Sequence, residues 1–413
     1  MKKKLISITI ILALVLLIIY YNKNNTTANN TSLSITKEQT PIDIEEYYVY
    51  GTHLNIKGTP PTNEYTNITL AIVSDKEIEL PLITKEEENK TKFYISDKIN
   101  TGMYLDNLTR TTHYLFIKAK DKDNNIKYYA LNNTTTYPSI TYYTLSKYNN
   151  KITINTDTKY NTLTLNVEEN KDNNIYDITI DAGHGGKDSG AIGSSKLEKN
   201  VSLEVALSIK SSLEQLGYKV GITRDKDIDL EEYNVNNEIG RVVIPHINNS
   251  KYLFSIHLNS HANKNMHGVE ILTPPNIDYT FASTLADSIV EKANTSYSNN
   301  MSFKMLNGVY TRIVTKEELA RREDNPYNIS VGAAYYYMLR ESGGYITGGY
   351  VDGREKDVGI NPYYNSNKGI ESYIIELGYI INKNDIANII TNKDKYVEAI
   401  TTTIDQQISK EYQ

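Results

Sequence analysis

No cysteine occurs anywhere in the 413 residues. Disulfides, thiolate catalysis, cysteine-ligated zinc and an N-terminal lipid-modified cysteine are therefore excluded. An excess of basic charge is also missing. Lys and Arg number 44 against 50 Asp and Glu, a formal net charge of -6. Nucleic-acid binders usually carry a basic face, so no nucleic-acid partner is expected. No internal repeat with a period of roughly 20–50 residues is visible. A long uncharged apolar run occurs at the start, Leu5–Tyr21, directly after Lys2, Lys3 and Lys4. As a helix it would be roughly 25 Å long, near the lower limit for crossing a bilayer. The basic flank belongs on the cytoplasmic side, which leaves the body of the chain outside. Residues 1–22 are read as a membrane anchor, with a cleaved signal peptide as the alternative. The Asn-, Thr- and Ser-rich residues 23–41 read as a solvated linker.

The remaining length exceeds one ordinary core and suggests two domains. Residues 42–170 hold short alternating runs, among them Tyr47–Tyr50, Asn67–Val73, Lys92–Ile95, His113–Ala119 and Thr162–Val167. Pro/Gly or polar turns separate them, which predicts an all-β, sandwich-like domain. His53 and His113 stand alone there, as structural histidines do. No ligand cluster appears, so this domain is read as a spacer or binding module, and residues 175–413 are expected to fold and act without it.

From Ile175 the pattern changes. A strand over Tyr176–Ile180 ends in glycines, and a helix follows with Leu197, Val201, Val205, Ile209, Leu213 and Leu216 on one stripe. Further strands are expected at Tyr218–Thr223, Tyr252–His257, Gly268–Thr273 and Ser372–Tyr379, with helices at Phe281–Ala293, Val331–Leu339 and over much of Asp385–Ile408. This alternation predicts an α/β domain with a mostly parallel sheet flanked by helices.

Functional groups in such sheets gather beyond the carboxyl ends of the strands. His184 follows the first strand, His257 ends another, Glu198 opens the first long helix and Glu376 lies in the last strand. Two imidazoles and a carboxylate converging from different elements form a zinc donor set with a fourth position left for water. A satisfied polar cluster at a sheet edge is the alternative on spacing alone. His257 and His261 are spaced as in metalloprotease helices, but Leu258 stands where those need a glutamate. His261 and His267 read as surface loop residues, and His246, after Pro245, as exposed.

Several blocks carry a closer likeness. Ile178–Gly193 reads ITIDAGHGGKDSGAIG and Lys196–Asn200 reads KLEKN. GYKVGITRDKD follows at Gly217–Asp227, YLFSIHLNSHAN at Tyr252–Asn263, GVEI at Gly268–Ile271 and IIELGYIINKND at Ile374–Asp385. In this order the chain, from about residue 175 onward, resembles the zinc-dependent N-acetylmuramoyl-L-alanine amidases of the type-3 fold. The resemblance implies His184, Glu198 and His257 as ligands of a Zn2+ cofactor and Glu376 as the catalytic carboxylate. It implies peptidoglycan as substrate, with the amide between muramic acid and L-alanine as the bond cut, and an extracytoplasmic place in the cell envelope. No motif identifies an activator protein. Two stretches depart from the family. NEIGRVVIPHINN at Asn237–Asn249 replaces the usual Arg followed by Ala-Asn, and residues 298–368 are only loosely family-like. Within the latter, Tyr363 and Tyr364 are candidates for stacking on a sugar or for plain loop packing.

Overall fold

The computed structural model describes residues 41–61, 65–132, 139–172, 175–230, 240–321, 329–349 and 367–410. The apolar run before residue 41, and Tyr363 and Tyr364, lie outside these. Among the described residues no helix is long and apolar enough to cross a membrane. The described residues belong to one compact unit.

The first part is all β, as the alternation predicts. Its strands include Ile42–Tyr50, Tyr65–Val73, Lys90–Tyr94, Thr112–Asp121 and Thr162–Glu169. Alternation works residue by residue. In Thr112–Asp121 the inward His113, Leu115, Ile117 and Ala119 are buried. Leu115 and Ile117 share a core with Leu70, Ile72 and Leu165 of neighbouring strands and with Leu54, Ile56 and Phe93. One further strand of this hydrogen-bonded network, Lys368–Gly369, comes from far along the chain and pairs in parallel with Val49 and Tyr50.

The second part is built on a seven-stranded sheet. Its order is Val220–Ile222, Ile178–Ala182, Tyr252–Asn259, Glu371–Tyr379, Glu270–Thr273, Val309–Thr311, Lys304–Leu306. The first four run parallel, Glu270–Thr273 is antiparallel to Glu371–Tyr379, and the edge strand is antiparallel to its neighbour. One face packs on the helices Glu198–Gln215, Thr280–Lys292 and Lys393–Lys410. There Val205, Ile209 and Leu213 meet Phe254, Ile256, Ile375, Leu285 and Ile400. The opposite face carries Leu253, Leu272 and Ile374 and is covered by Val242, Met338 and Leu339.

Three expectations need correction. The helix read over Val331–Leu339 starts only at Tyr337 and ends at Ser342. Gly332, Ala333 and Ala334 instead spend their backbone groups on Val314, Ile313 and Thr347, with Gly332 at φ +89° in a turn, and Val331 is left exposed. His246 is buried rather than exposed, in a short helix Val243–Ile247 that tolerates Pro245 because it is little more than one turn. Leu216 lies outside the helix, which ends at Gln215, and is exposed.

The all-β part closes the base of this sheet, at the ends of the strands remote from the histidines. Asp177, just before the first strand, accepts the Ser146 backbone N–H at 2.5 Å and the Ser146 hydroxyl at 2.6 Å. Asn100 reaches the Glu371 carboxylate at 3.4 Å and the Asp278 carbonyl at 3.2 Å. Tyr50, Ile99 and Leu145 lie in the same core cluster as the central strands of this sheet.

Candidate active site

Parallel strands deliver the site residues to one end of the sheet. His184 lies two residues beyond the strand Ile178–Ala182, and His257 and Glu376 are direct register partners on adjacent strands. The register shifts at once, between His257 and Asn259, and pairing resumes between Asn259 and Tyr379. Glu198 enters from the side, as the first residue of its helix, where the positive end of the helix dipole favours a carboxylate.

The geometry is tight. Glu198 Oε1 lies 3.0 Å from His184 Nε2 and 3.0 Å from His257 Nδ1. One donor atom from each of His184, Glu198 and His257 falls within 4.8 Å of the others. The two rings stand edge to face with centroids 4.8 Å apart. Backbone N–H groups of Leu258 and Ala191 donate to the Glu198 carboxylate at 2.9 and 2.8 Å. Glycine is required around these rings. A Cβ on Gly183 would sit 2.4 Å from the His257 ring, and one on Gly190 2.6 Å from the His184 ring. His184 itself has φ of +62°, the left-handed region that costs an L-residue energy.

Buried arginines hold this turn. Arg241 donates to Ala182 O and His184 O, each at 2.8 Å, and pairs with Asp181 at 2.5 Å. Asp181 is fully buried and also accepts the Thr223 and Ser255 hydroxyls at 2.6 and 2.5 Å. Arg224 donates to Ala182 O at 2.9 Å and to Gly183 O and Lys199 O at 2.8 Å. Two guanidinium groups thus satisfy carbonyls at the end of this strand and in the turn that follows it.

Charge follows from this packing. Burial opposes ionisation of Glu198, but His184 and His257 outweigh it and hold its carboxyl well below the usual range. Burial likewise opposes a proton on His184, but the Glu198 and Asp188 carboxylates raise the imidazole to about 9. Glu376 goes the other way. Burial, then the negative charges of Glu198 and Glu270, push its carboxyl well above the ordinary value. Its Oε2 is buried and has no hydrogen-bond partner among the described residues. Glu270, its register partner on the other side, accepts Asn259, Ser298 and Tyr379 at 2.9, 2.6 and 2.5 Å.

All four residues singled out in the sequence therefore meet at one end of the sheet. His261 and His267 are not among the three clustered donors. Sequence reasoning missed Asp181, Arg224, Arg241, Asp188 and Glu270. For Arg241 a signal existed, the lone arginine inside the departing segment NEIGRVVIPHINN. For Glu270 it was a charge between Val269 and Ile271 in an apolar strand.

The N-acetylmuramoyl-L-alanine amidase family matches residues 178–406, more than half of the chain. A germination-specific N-acetylmuramoyl-L-alanine amidase of Bacillus subtilis is 49% identical over 53 residues, 13% of this chain and 22% of that protein. A putative N-acetylmuramoyl-L-alanine amidase of Buchnera aphidicola is 31% identical over 148 residues, 34% of this chain and 65% of that protein. The chain thus spans less than two thirds of either curated relative. A solved structure, the N-acetylmuramoyl-L-alanine amidase AmiC2 of Nostoc punctiforme, is 24% identical with a TM-score of 0.38, covering 56% of this chain and 96% of that one. On the match over residues 178–406, this chain belongs to the N-acetylmuramoyl-L-alanine amidase family.

Proposed function

We propose that this chain hydrolyses the amide between the lactyl group of N-acetylmuramic acid and L-alanine in peptidoglycan, with one zinc ion, outside the cytoplasmic membrane. A single observation carries the reading. Two imidazoles and a carboxylate converge within 4.8 Å, and a glutamate on the register partner of His257 keeps a buried oxygen unpaired among the described residues. The donor set suits zinc in type and number. The glycines that clear space for the two rings fit it as well.

His184, Glu198 and His257 would hold the ion. Zinc bound there supplies Lewis acidity toward the amide carbonyl and toward the attacking water. Glu376 takes a proton from that water at its carboxylate and passes it to the leaving alanine nitrogen. Amine departure needs that proton. The buried setting that raises the proton affinity of Glu376 suits a group that must hold a proton between two transfers. Arg241 and Arg224 keep the His184 loop in place through its carbonyls.

Residues 1–22 tether the protein on this reading. The lysines before the apolar run support an extracytoplasmic body. Residues 42–170 act as a spacer or wall-binding module. The test is mass spectrometry of purified sacculi after digestion, with and without chelator. New muramic acid carboxyl ends and free L-alanine amino termini are expected, and chelation should abolish them. New carboxyl ends within the peptide would make the chain a peptidase instead. Wall binding with no new ends would make it an inactive wall-binding protein.

A further inference from the structure

Asp188 takes no part in the chemistry above, yet it touches a proposed ligand directly. Its Oδ2 lies 2.6 Å from His184 Nδ1, on the side of the ring opposite the nitrogen that faces Glu198. Its Oδ1 accepts the Gly190 N–H at 2.9 Å, so both carboxylate oxygens are engaged and the group cannot rotate freely. The main chain is shaped to bring it there. Gly185 and Asp188 exchange backbone hydrogen bonds of 2.9 and 3.1 Å, closing a turn that returns Asp188 onto the ring it follows by four residues.

An imidazole binds a metal through a nitrogen that carries no proton, and the partner of the other nitrogen selects which one that is. We propose that Asp188 is a positioning residue of the metal centre, holding the Nδ1–H of His184 so that Nε2 is presented to the ion shared with Glu198 and His257. This rests on the metal reading given above. Asparagine cannot replace it fully, because its single oxygen faces two N–H donors, the His184 ring and Gly190. Outer partners of this kind typically change metal affinity by roughly 10–100-fold. About half of the Asp188 side chain is exposed, which places the effect near the lower end.

The experiment measures zinc affinity of the metal-free full chain by competition with a chromophoric chelator. Wild type is compared with Asp188→Ala, Asp188→Asn and Asp227→Ala. Asp227 is the control, because it accepts the Gly186 N–H at 2.7 Å in the same turn without bonding to either histidine. Zinc affinity should fall about tenfold in Asp188→Ala, in part in Asp188→Asn, and by less than about twofold in Asp227→Ala. The visible spectrum of the cobalt(II) form should change in Asp188→Ala and not in Asp227→Ala. Unchanged affinity in a folded Asp188→Ala protein overturns the proposal, as does an equal loss in Asp227→Ala, which would mean that loosening the loop is enough. If wild type itself binds no zinc, the metal reading fails along with it. If wild type binds and Asp188→Ala binds equally, only the role of Asp188 fails.

Discussion

Replacing Arg241 with leucine isolates what holds the histidine turn. Arg241 and Asp181 lie 2.5 Å apart with side chains 3% and 0% exposed. Removing one member of such a pair strands the other charge in a medium that solvates it poorly, at a cost of about 3–5 kcal/mol. The Thr223 and Ser255 hydroxyls still donate to Asp181. That places the expected loss in the lower half, about 3–4 kcal/mol. With a urea slope of about 3 kcal/mol/M, the unfolding midpoint falls by about 1 M near neutral pH. The pH dependence then identifies the cause. In the wild type, burial works to raise the Asp181 carboxyl, but Arg241 outweighs it, with His257, Ser255 and Thr223 adding, and the group sits below its ordinary value. Its contribution is therefore present above the unfolded value of about 3.9 and lost as pH falls through the folded one. In Arg241→Leu, burial prevails and the folded value rises above the unfolded one. The deficit is then full at neutral pH and shrinks as pH falls toward about 4. Urea unfolding followed by circular dichroism at about pH 7 and about pH 5 should show the gap between variant and wild type narrowing at the lower pH. A gap of equal size at both would refute the assignment of the loss to a stranded Asp181 charge.

Glu376→Gln keeps the shape and removes the ionisable group, so turnover should fall by roughly 100-fold or more while far-ultraviolet circular dichroism stays unchanged. His184 in the metal-free protein is held near 9 by Glu198 and Asp188 against the effect of burial. Zinc uptake near neutral pH should therefore release about one proton, checked by how the calorimetric enthalpy varies with buffer ionisation heat. Truncation to a chain starting near residue 174 removes Tyr50, Ile99 and Leu145 from the shared core. At about 1.5–3 kcal/mol for each buried side chain, that loss rivals a typical folding free energy of about 5–15 kcal/mol. The truncated chain should lack a cooperative thermal transition, and a melt like that of the full chain would contradict this.

The parts of the site that lie at element ends were legible in the sequence. Strand alternation and the glycine run placed His184 just beyond one strand and His257 at the end of another, and Glu376 stood out as a charge between Ile375 and Leu377. What holds those residues was not legible. Asp181 meets Arg241 across 60 residues, and no local pattern announces such a pair. His246 was misread because a residue after proline suggested a loop, whereas its short helix is buried. Val331–Leu339 has helical composition, but tertiary backbone bonds to 313–314 decide against a helix until Tyr337. The expectation that residues 175–413 fold alone rests on where ligands lie, and the truncation melt tests it. Asp177 and Glu371, at the base of two strands that lead to the candidate site, reach partners in the all-β part that only the fold brings near.

Metal analysis by inductively coupled plasma mass spectrometry is the most direct check of the central claim. It should be run on wild type and on His184→Ala, Glu198→Ala, His257→Ala and Glu376→Gln, purified without chelator. About one zinc per chain is expected in wild type and in Glu376→Gln, with little in the three ligand variants, following the open three-ligand pattern. Zinc lost from Glu376→Gln and retained in Glu198→Ala would contradict the account.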